Sequence, residues 1–505
     1  MRKFAVAVLL ALATGAGVLT PAYGQSTVPP GIPPPPTIVN RGAAITPLGW
    51  YVIGSIGCAA VSPIIGTLIL GRELTLNEAY RSTFGCVLGP VGWLLADALV
   101  PPTPPPPITI QPRSAKTPPQ HRRSTGRGRN FKIPPQGETR FVANEILLEF
   151  APGATAQMRN ALASNLQLTE LETQRFELTA RLLSRWRIDG TRSVPATLRL
   201  IARNYPAVSG GWANMIYVGA QIQAPATQPP PAAGSAQYVV NKLHLLEAHR
   251  ISNGDDVLVA VIDSKIDTKH PDLVGVVANE YDVVGAPGAA HSHGTAMAGA
   301  IAARSKLVGV APKVKLLAVR AFSGSGESAE STTLNILKSV DWAASKNARI
   351  INMSFAGPPD ELLREMLAKA NARGIVLIAA VGNAGPRSPP LYPAADPGVI
   401  GVTATDVDDR LMPQANRGPQ VAVAAPGVEI LAVAPDGKYQ VTSGTSVAAA
   451  HASGVAALLL ASKPSLTPAQ VRARLIHGAN RIPGKRTEVG AGVIDALAVI
   501  NPNHK

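Results

Sequence analysis

Six short apolar runs, at 257–262, 315–320, 349–354, 375–381, 399–403 and 421–424, recur through the second half of this chain, separated by stretches with helical spacing. Runs of that length with few polar positions predict strands buried on both faces. Helical patterns at 241–249, 294–303, 330–346, 359–372 and 446–461 fall between or beside them. Alternation of this kind predicts right-handed crossovers between parallel strands. The expected fold class is therefore α/β, a doubly wound and mainly parallel sheet over residues 238–501. Functional side chains belong at the carboxyl ends of such strands.

Two polar residues stand where that rule puts them. The run 257–262 ends in Asp263, and Asn383 follows the run 375–381. His293 opens a helix of small residues, and Ser446 sits where a turn-forming SGTS passes into the helical stretch 446–461. A serine there lies at the positively polarised end of a helix, where unpaired N–H groups can hold a developing oxyanion. The plainer reading of Ser446 alone is a helix cap.

The stretches VIDS with HPDL, HGT followed by MAG, NMSFAG, AAVGNAG, YPAADPGVIGVTATD, APG and GTSVAAAHASG occur in that order across most of 238–501. Together they resemble the subtilisin-like serine protease family, and Asp before His before Ser is the order already known in subtilisin. The resemblance implies Asp263 as the orienting acid, His293 as the general base and acid, Ser446 as the nucleophile and Asn383 as the oxyanion donor. It implies that Ser354, Phe355 and Ala356 form an edge strand that pairs with substrate. It also implies a cis bond at Tyr392-Pro393, with Leu391 lining and narrowing the primary pocket toward small or medium apolar side chains. Three departures stand out: Lys265 where a glycine is usual, Ala296 where a second histidine is usual, and Val447 and Ala450 in place of Met and Pro.

Upstream, residues 1–24 read as a signal peptide, with Arg2 and Lys3 before an apolar stretch. A proline-rich spacer, 25–40, leads to an apolar module at 41–100. That module is either a membrane-associated hairpin or a small helical unit closed by a Cys58–Cys86 disulfide, since these are the only two cysteines. Residues 101–137 read as a proline-rich basic linker. Residues 139–223 follow the order βαββαβ, a ferredoxin-like domain that resembles the propeptide of this family, and 224–237 form a connection. The expected cleavage in cis lies between Val218 and Tyr238.

The chain carries 47 Lys and Arg against 32 Asp and Glu, but from Tyr238 onward the counts are only 26 and 22. The excess charge is thus upstream, and no aromatic-interleaved or groove-reading motif accompanies it, which argues against a nucleic-acid partner. His291 and His293 lack the spaced carboxylate or third histidine of a metal site. Asp272 of HPDL resembles a calcium ligand of the family, but the segment 303–309 offers Arg304 and Lys306 in place of further oxygens. No cofactor or metal is expected. The function expected is a secreted or envelope serine endopeptidase acting on polypeptides, with its own propeptide as a partner in cis and a membrane association through 41–100. The alternative is an inactive, envelope-anchored binding or structural protein on the same scaffold.

Overall fold

The computed structural model describes residues 129–219, 222–223, 237–324 and 329–504. The expected signal peptide, the apolar module with Cys58 and Cys86, and most of both expected linkers lie outside the described residues.

The larger sheet has seven strands in the order Val421–Pro426, Val399–Thr405, Val376–Ala380, Ile350–Met353, Leu258–Asp263, Lys315–Arg320 and Val277–Asp282, and every neighbouring pair is parallel. Alternate residues of each strand feed two separate cores. Val259, Val261, Ile350, Ile378 and Val402 pack with the helices Ser292–Ala302 and Thr445–Ser462. Ala260, Ile262, Ile351, Leu377 and Ala379 pack with the helices Thr333–Ser345 and Glu361–Ala372. The strands read as unbroken apolar runs because both faces are buried. Thr445–Ser462 is long and apolar enough to cross a membrane, but it is the central helix of this core and almost wholly buried.

The second sheet has the order Asn130–Lys132, Val208–Gly219, Phe141–Phe150, Arg181–Ile188 and Leu168–Phe176. The helices Ala156–Leu166 and Val194–Asn204, capped by the side chains of Thr155 and Ser193, cover one face. This is the expected βαββαβ order, but the domain starts earlier than Thr139. Asn130–Lys132 pairs parallel with Gly210–Trp212, so the end of the presumed linker belongs to the sheet. Arg129, part of the basic run, donates to the carbonyl oxygens of Ile201, Ala202 and Tyr205 and so closes the C-terminus of Val194–Asn204.

The other face of this sheet presents Leu147, Leu183 and Trp212 to the helices Thr333–Ser345 and Glu361–Ala372, with which they form one apolar cluster. Polar contacts ring it. Asp341 accepts from the backbone N–H groups of Glu177 and Leu178 at 3.1 and 2.8 Å. Arg181 bridges Glu149 and Glu365, and Lys338 reaches Glu172.

Two expected elements differ. The helix expected at 330–346 starts only at Thr333, because Glu330–Thr332 is drawn into a strand opposite Ile216, Tyr217 and Val218. The helix expected at 241–249 is two short ones, Tyr238–Lys242 and Leu245–His249, broken where His244 takes a left-handed conformation.

Candidate active site

Four sequence positions far apart converge at the carboxyl edge of the larger sheet. Asp263 is the last residue of Leu258–Asp263, Ser354 follows Ile350–Met353, Asn383 follows Val376–Ala380, and Ser446 lies in the first turn of Thr445–Ser462. Gly444, with no capping side chain, precedes that helix, so Ser446 is not its cap.

His293 Nδ1 lies 2.6 Å from Asp263 Oδ1, and both residues are buried. The same oxygen accepts the N–H of Ser264 at 2.7 Å and its hydroxyl at 3.1 Å, so the acid is held as an acceptor. A carboxylate in that role fixes the histidine proton on Nδ1 and leaves Nε2 as the base. His293 Nε2 is buried and makes no hydrogen bond. Ser264 was not singled out from the sequence, yet its hydroxyl also accepts from Gly294 N at 3.0 Å and so ties the acid-bearing strand to the histidine helix. A Cβ at Gly294 would lie 2.3 Å from the Ser264 carbonyl oxygen, which explains glycine after His293.

Asn383 Oδ1 accepts from the backbone and hydroxyl of Thr445 at 3.1 and 2.9 Å, which assigns its amide orientation and leaves Nδ2 as the donor end. Ser446 Oγ donates to the Ser354 carbonyl at 3.2 Å, while Ser354 Oγ donates to the Ser446 carbonyl at 2.9 Å. Behind them Asn352 and Ser453 continue a buried polar chain that pins the start of the helix to the sheet. Leu391 is half-buried, and a Cβ at Gly382, beside Asn383, would lie 2.9 Å from its Cδ1. The Tyr392-Pro393 bond is cis, and Tyr392 forms an antiparallel bridge with Gly357.

Phe355 and Ala356 do form an edge strand, and it is occupied. Phe355 lies opposite Gly219 and Ala356 opposite Val218, antiparallel, while Glu330–Thr332 holds the other side of the same segment. A Cβ at Gly219 would sit 3.8 Å from Cε1 and Nε2 of His293. Beyond, Ile222 and Gln223 pair with Ser443 and Thr442 of the strand Lys438–Ser443.

Residues 254–492 match the model of the Subtilase family. Subtilisin E of Bacillus subtilis is 36% identical over 282 residues, which cover 53% of this chain and 71% of that protein. The chain belongs to the subtilase family. Thermitase of Thermoactinomyces vulgaris is 33% identical over 282 residues, 54% of this subtilase and 99% of the relative. Among solved structures, fervidolysin from Fervidobacterium pennivorans, titled a keratinolytic enzyme related to subtilisin, superposes with a TM-score of 0.61 at 22% identity. That match covers 74% of this chain and 62% of the fervidolysin chain, and it bears on the fold alone. As a subtilase the protein is a serine endopeptidase, and its substrates are polypeptides.

The departures from the family pattern are absorbed locally. Lys265 turns its ammonium outward to the Gly288 carbonyl at 2.8 Å, so its charge does not enter the site. His291 is a helix cap: its Nδ1 accepts from His293 N at 3.2 Å. Asp272 is saturated by protein donors, with Oδ1 taking the N–H groups of Ser305 and Leu307 at 3.0 and 2.9 Å and Oδ2 the Tyr439 hydroxyl at 2.6 Å. Among the described residues no group of three His, Cys, Asp or Glu is placed to hold a metal ion.

Proposed function

We propose that Asp263, His293 and Ser446 hydrolyse peptide bonds through an acyl-enzyme, with Asn383 stabilising the oxyanion. The observation that carries this is the 2.6 Å Asp263–His293 bond, with Nε2 making no hydrogen bond and Ser446 held to Ser354 just past the end of the neighbouring strand. Ser446 Oγ rotates away from the Ser354 carbonyl and attacks the scissile carbonyl carbon, and its proton passes to His293 Nε2. Asp263 stabilises the imidazolium, while Ser446 N–H and Asn383 Nδ2 take the negative oxygen. The C–N bond then breaks as His293 returns the proton to the leaving amine. Water, deprotonated by the same imidazole, attacks the ester carbonyl, and the acid leaves as the imidazolium returns the proton to Ser446 Oγ. A fluorophosphonate probe should label Ser446, with no labelling of Ser446→Ala, and absence of label from the processed wild type would refute the reading.

Residues 129–223 act in the same reading as a propeptide. Support comes from the apolar face that they share with two helices of the larger domain and from the strand that they lay along Phe355-Ala356. Gly219 pairs with Phe355 on one side of the site and Ile222 with Ser443 on the other. We therefore assign self-cleavage to the bond joining Ala220 and Gln221, which narrows the interval read from sequence. An alanine before the cleaved bond suits a pocket narrowed by Leu391. Wild type should yield a chain beginning at Gln221 and Ser446→Ala should stay uncut. Identical termini in the two preparations would exclude cleavage in cis. Export through residues 1–24 and membrane association through 41–100 belong to the same proposal.

A further inference from the structure

We propose that Arg364 is a positioning residue for the primary specificity pocket: its guanidinium holds the buried carboxylate of Asp396, and through it the turn 391–396 that begins at Leu391. The inference rests on the reading above, in which Leu391 lines and narrows that pocket.

Backbone bonds shape this turn. Ala395 N–H donates to the Leu391 carbonyl at 3.1 Å and Asp396 N–H to the Pro393 carbonyl at 2.9 Å. Tyr392 exchanges two backbone hydrogen bonds with Gly357, at 2.8 and 3.1 Å, and the Asp396 carbonyl accepts Val399 N–H at 3.2 Å where the strand Val399–Thr405 begins. The Leu391 side chain lies beside Gly382, the residue before Asn383, so any shift of the turn is felt next to the site.

The turn also carries a charge inward. The Asp396 side chain is 1% exposed, against 47% for Arg364. Arg364 Nε donates to Asp396 Oδ1 at 2.8 Å, and the same guanidinium lies over the Tyr392 ring, 5.6 Å from its centroid. Asp396 Oδ2 is buried and makes no hydrogen bond, so Arg364 is the partner that compensates this charge. The other titratable groups facing the pair are Asp360, which opposes ionisation of Asp396, Glu361 beside Arg364, Tyr392 under it and, while the small domain stays docked, Tyr217.

The two partners are not equivalent. An exposed cation that loses its partner returns to water, whereas a buried carboxylate that loses its partner must take up a proton or move out. Burial pushes the Asp396 carboxyl up to about 6 although the hydrogen bond and charge of Arg364 pull it down, so without Arg364 it titrates higher still. The protonated form then keeps the turn in place at acid pH, and the ionised form draws it toward solvent at alkaline pH. A displaced wall weakens the binding of side chains that fill the pocket and leaves the triad untouched. The effect is therefore read in KM, at about 10-fold.

The test uses the self-processed protein obtained from the full chain and two internally quenched peptides, residues 216–223 carrying Ala220→Leu or Ala220→Gly. On the leucine peptide the KM of Arg364→Ala, divided by that of wild type at the same pH, should rise from near unity at about pH 6 to about 10 at about pH 9, with kcat little changed. Taking the ratio at each pH cancels titrations common to both proteins. The glycine peptide places no side chain in the pocket and should give a flat ratio. Asp396→Asn added to Arg364→Ala should abolish the rise, because a neutral amide needs no cation, and Arg364→Lys should restore most of the binding. Arg364→Gln, a good helix former that still removes the charge, gives the same readout should Arg364→Ala fail to mature. A ratio on the leucine peptide that stays flat with pH overturns the proposal, as does an equal rise on the glycine peptide or a rise that survives Asp396→Asn. If wild type cuts neither peptide and takes no fluorophosphonate label, the underlying reading of the site fails instead.

Discussion

The two sheets of this molecule bury their faces differently. The seven-stranded parallel sheet is covered on both sides by helices of its own domain; its core at Val259 contains no residue of 129–223, while the cluster at Ile351 continues beyond the helices into Leu147, Leu183 and Trp212. The smaller sheet covers one face with its own helices, around Ile146, Trp186 and Ile201, and leaves Leu147, Leu183 and Trp212 to be buried by another domain. A domain that finishes its core only against a partner also buries part of that partner's surface while it is docked. It becomes less stable once the connection is cut, because the effective concentration supplied by the chain is lost. The asymmetry fits a disposable domain beside a durable one.

The sharpest way to break this division of labour is at the chemistry. Ser446→Ala and His293→Ala should each lower peptide hydrolysis by several orders of magnitude, while His291→Ala, at a helix cap, should cost far less; equal losses at His291 and His293 would reassign the base. Asn383→Ala should cost roughly 100- to 1000-fold in kcat, the magnitude already known for such a donor in subtilisin itself. A change nearer tenfold would mean that backbone N–H groups carry the oxyanion alone.

The comparison itself is tested in the uncut Ser446→Ala chain. Trp212→Ala there should destabilise the docked small domain by about 3–5 kcal/mol, the usual cost of truncating a buried aromatic. Proteolysis followed by mass spectrometry should show 129–219 becoming sensitive while 238–504 stays protected. Loss of protection in both at once would make the larger domain dependent on the smaller.

Acid should act on the larger core. His451 is buried, with Nδ1 2.8 Å from the Pro426 carbonyl, and burial holds its pKa down at about 4 against an ordinary 6.5. Between those values the unfolded chain binds a proton that the folded chain does not, so stability falls as pH drops from about 6.5 to 4, by on the order of 3 kcal/mol from this group. Asp396, pushed up to about 6 chiefly by burial, works in the opposite direction over the lower part of that window. The test is therefore the difference between wild type and His451→Gln in urea midpoints at pH 7 and 4.5, with the variant losing less; parallel curves would remove His451 as the cause.

Calcium should have the smallest effect. Because Asp272 is already satisfied by two N–H groups and the Tyr439 hydroxyl, melting in chelator and in millimolar calcium should differ by no more than a few degrees. A shift of tens of degrees would reveal a site elsewhere.

Much of this was legible in sequence because the signals are local. An apolar run buried on both faces announces its strand, and short motifs around Asp263, His293, Asn383 and Ser446 carry their chemistry with them. The same holds for the βαββαβ order, where periodicity reflects which face each element buries. Other features depend on residues distant in the chain, and only the tertiary structure decided them. Glu330–Thr332 looked helical until Ile216, Tyr217 and Val218 offered it strand hydrogen bonds. Arg129 looked like part of a solvated basic run until the end of Val194–Asn204 supplied three carbonyls. Lys265 threatened the acid until the Gly288 carbonyl drew it away. The Asp360 carboxylate caps Glu361–Ala372 and also takes the hydroxyl of Thr333, a residue distant in the chain. Backbone pairing and burial across such separations are set by how packed layers meet, and one segment read alone does not contain that information.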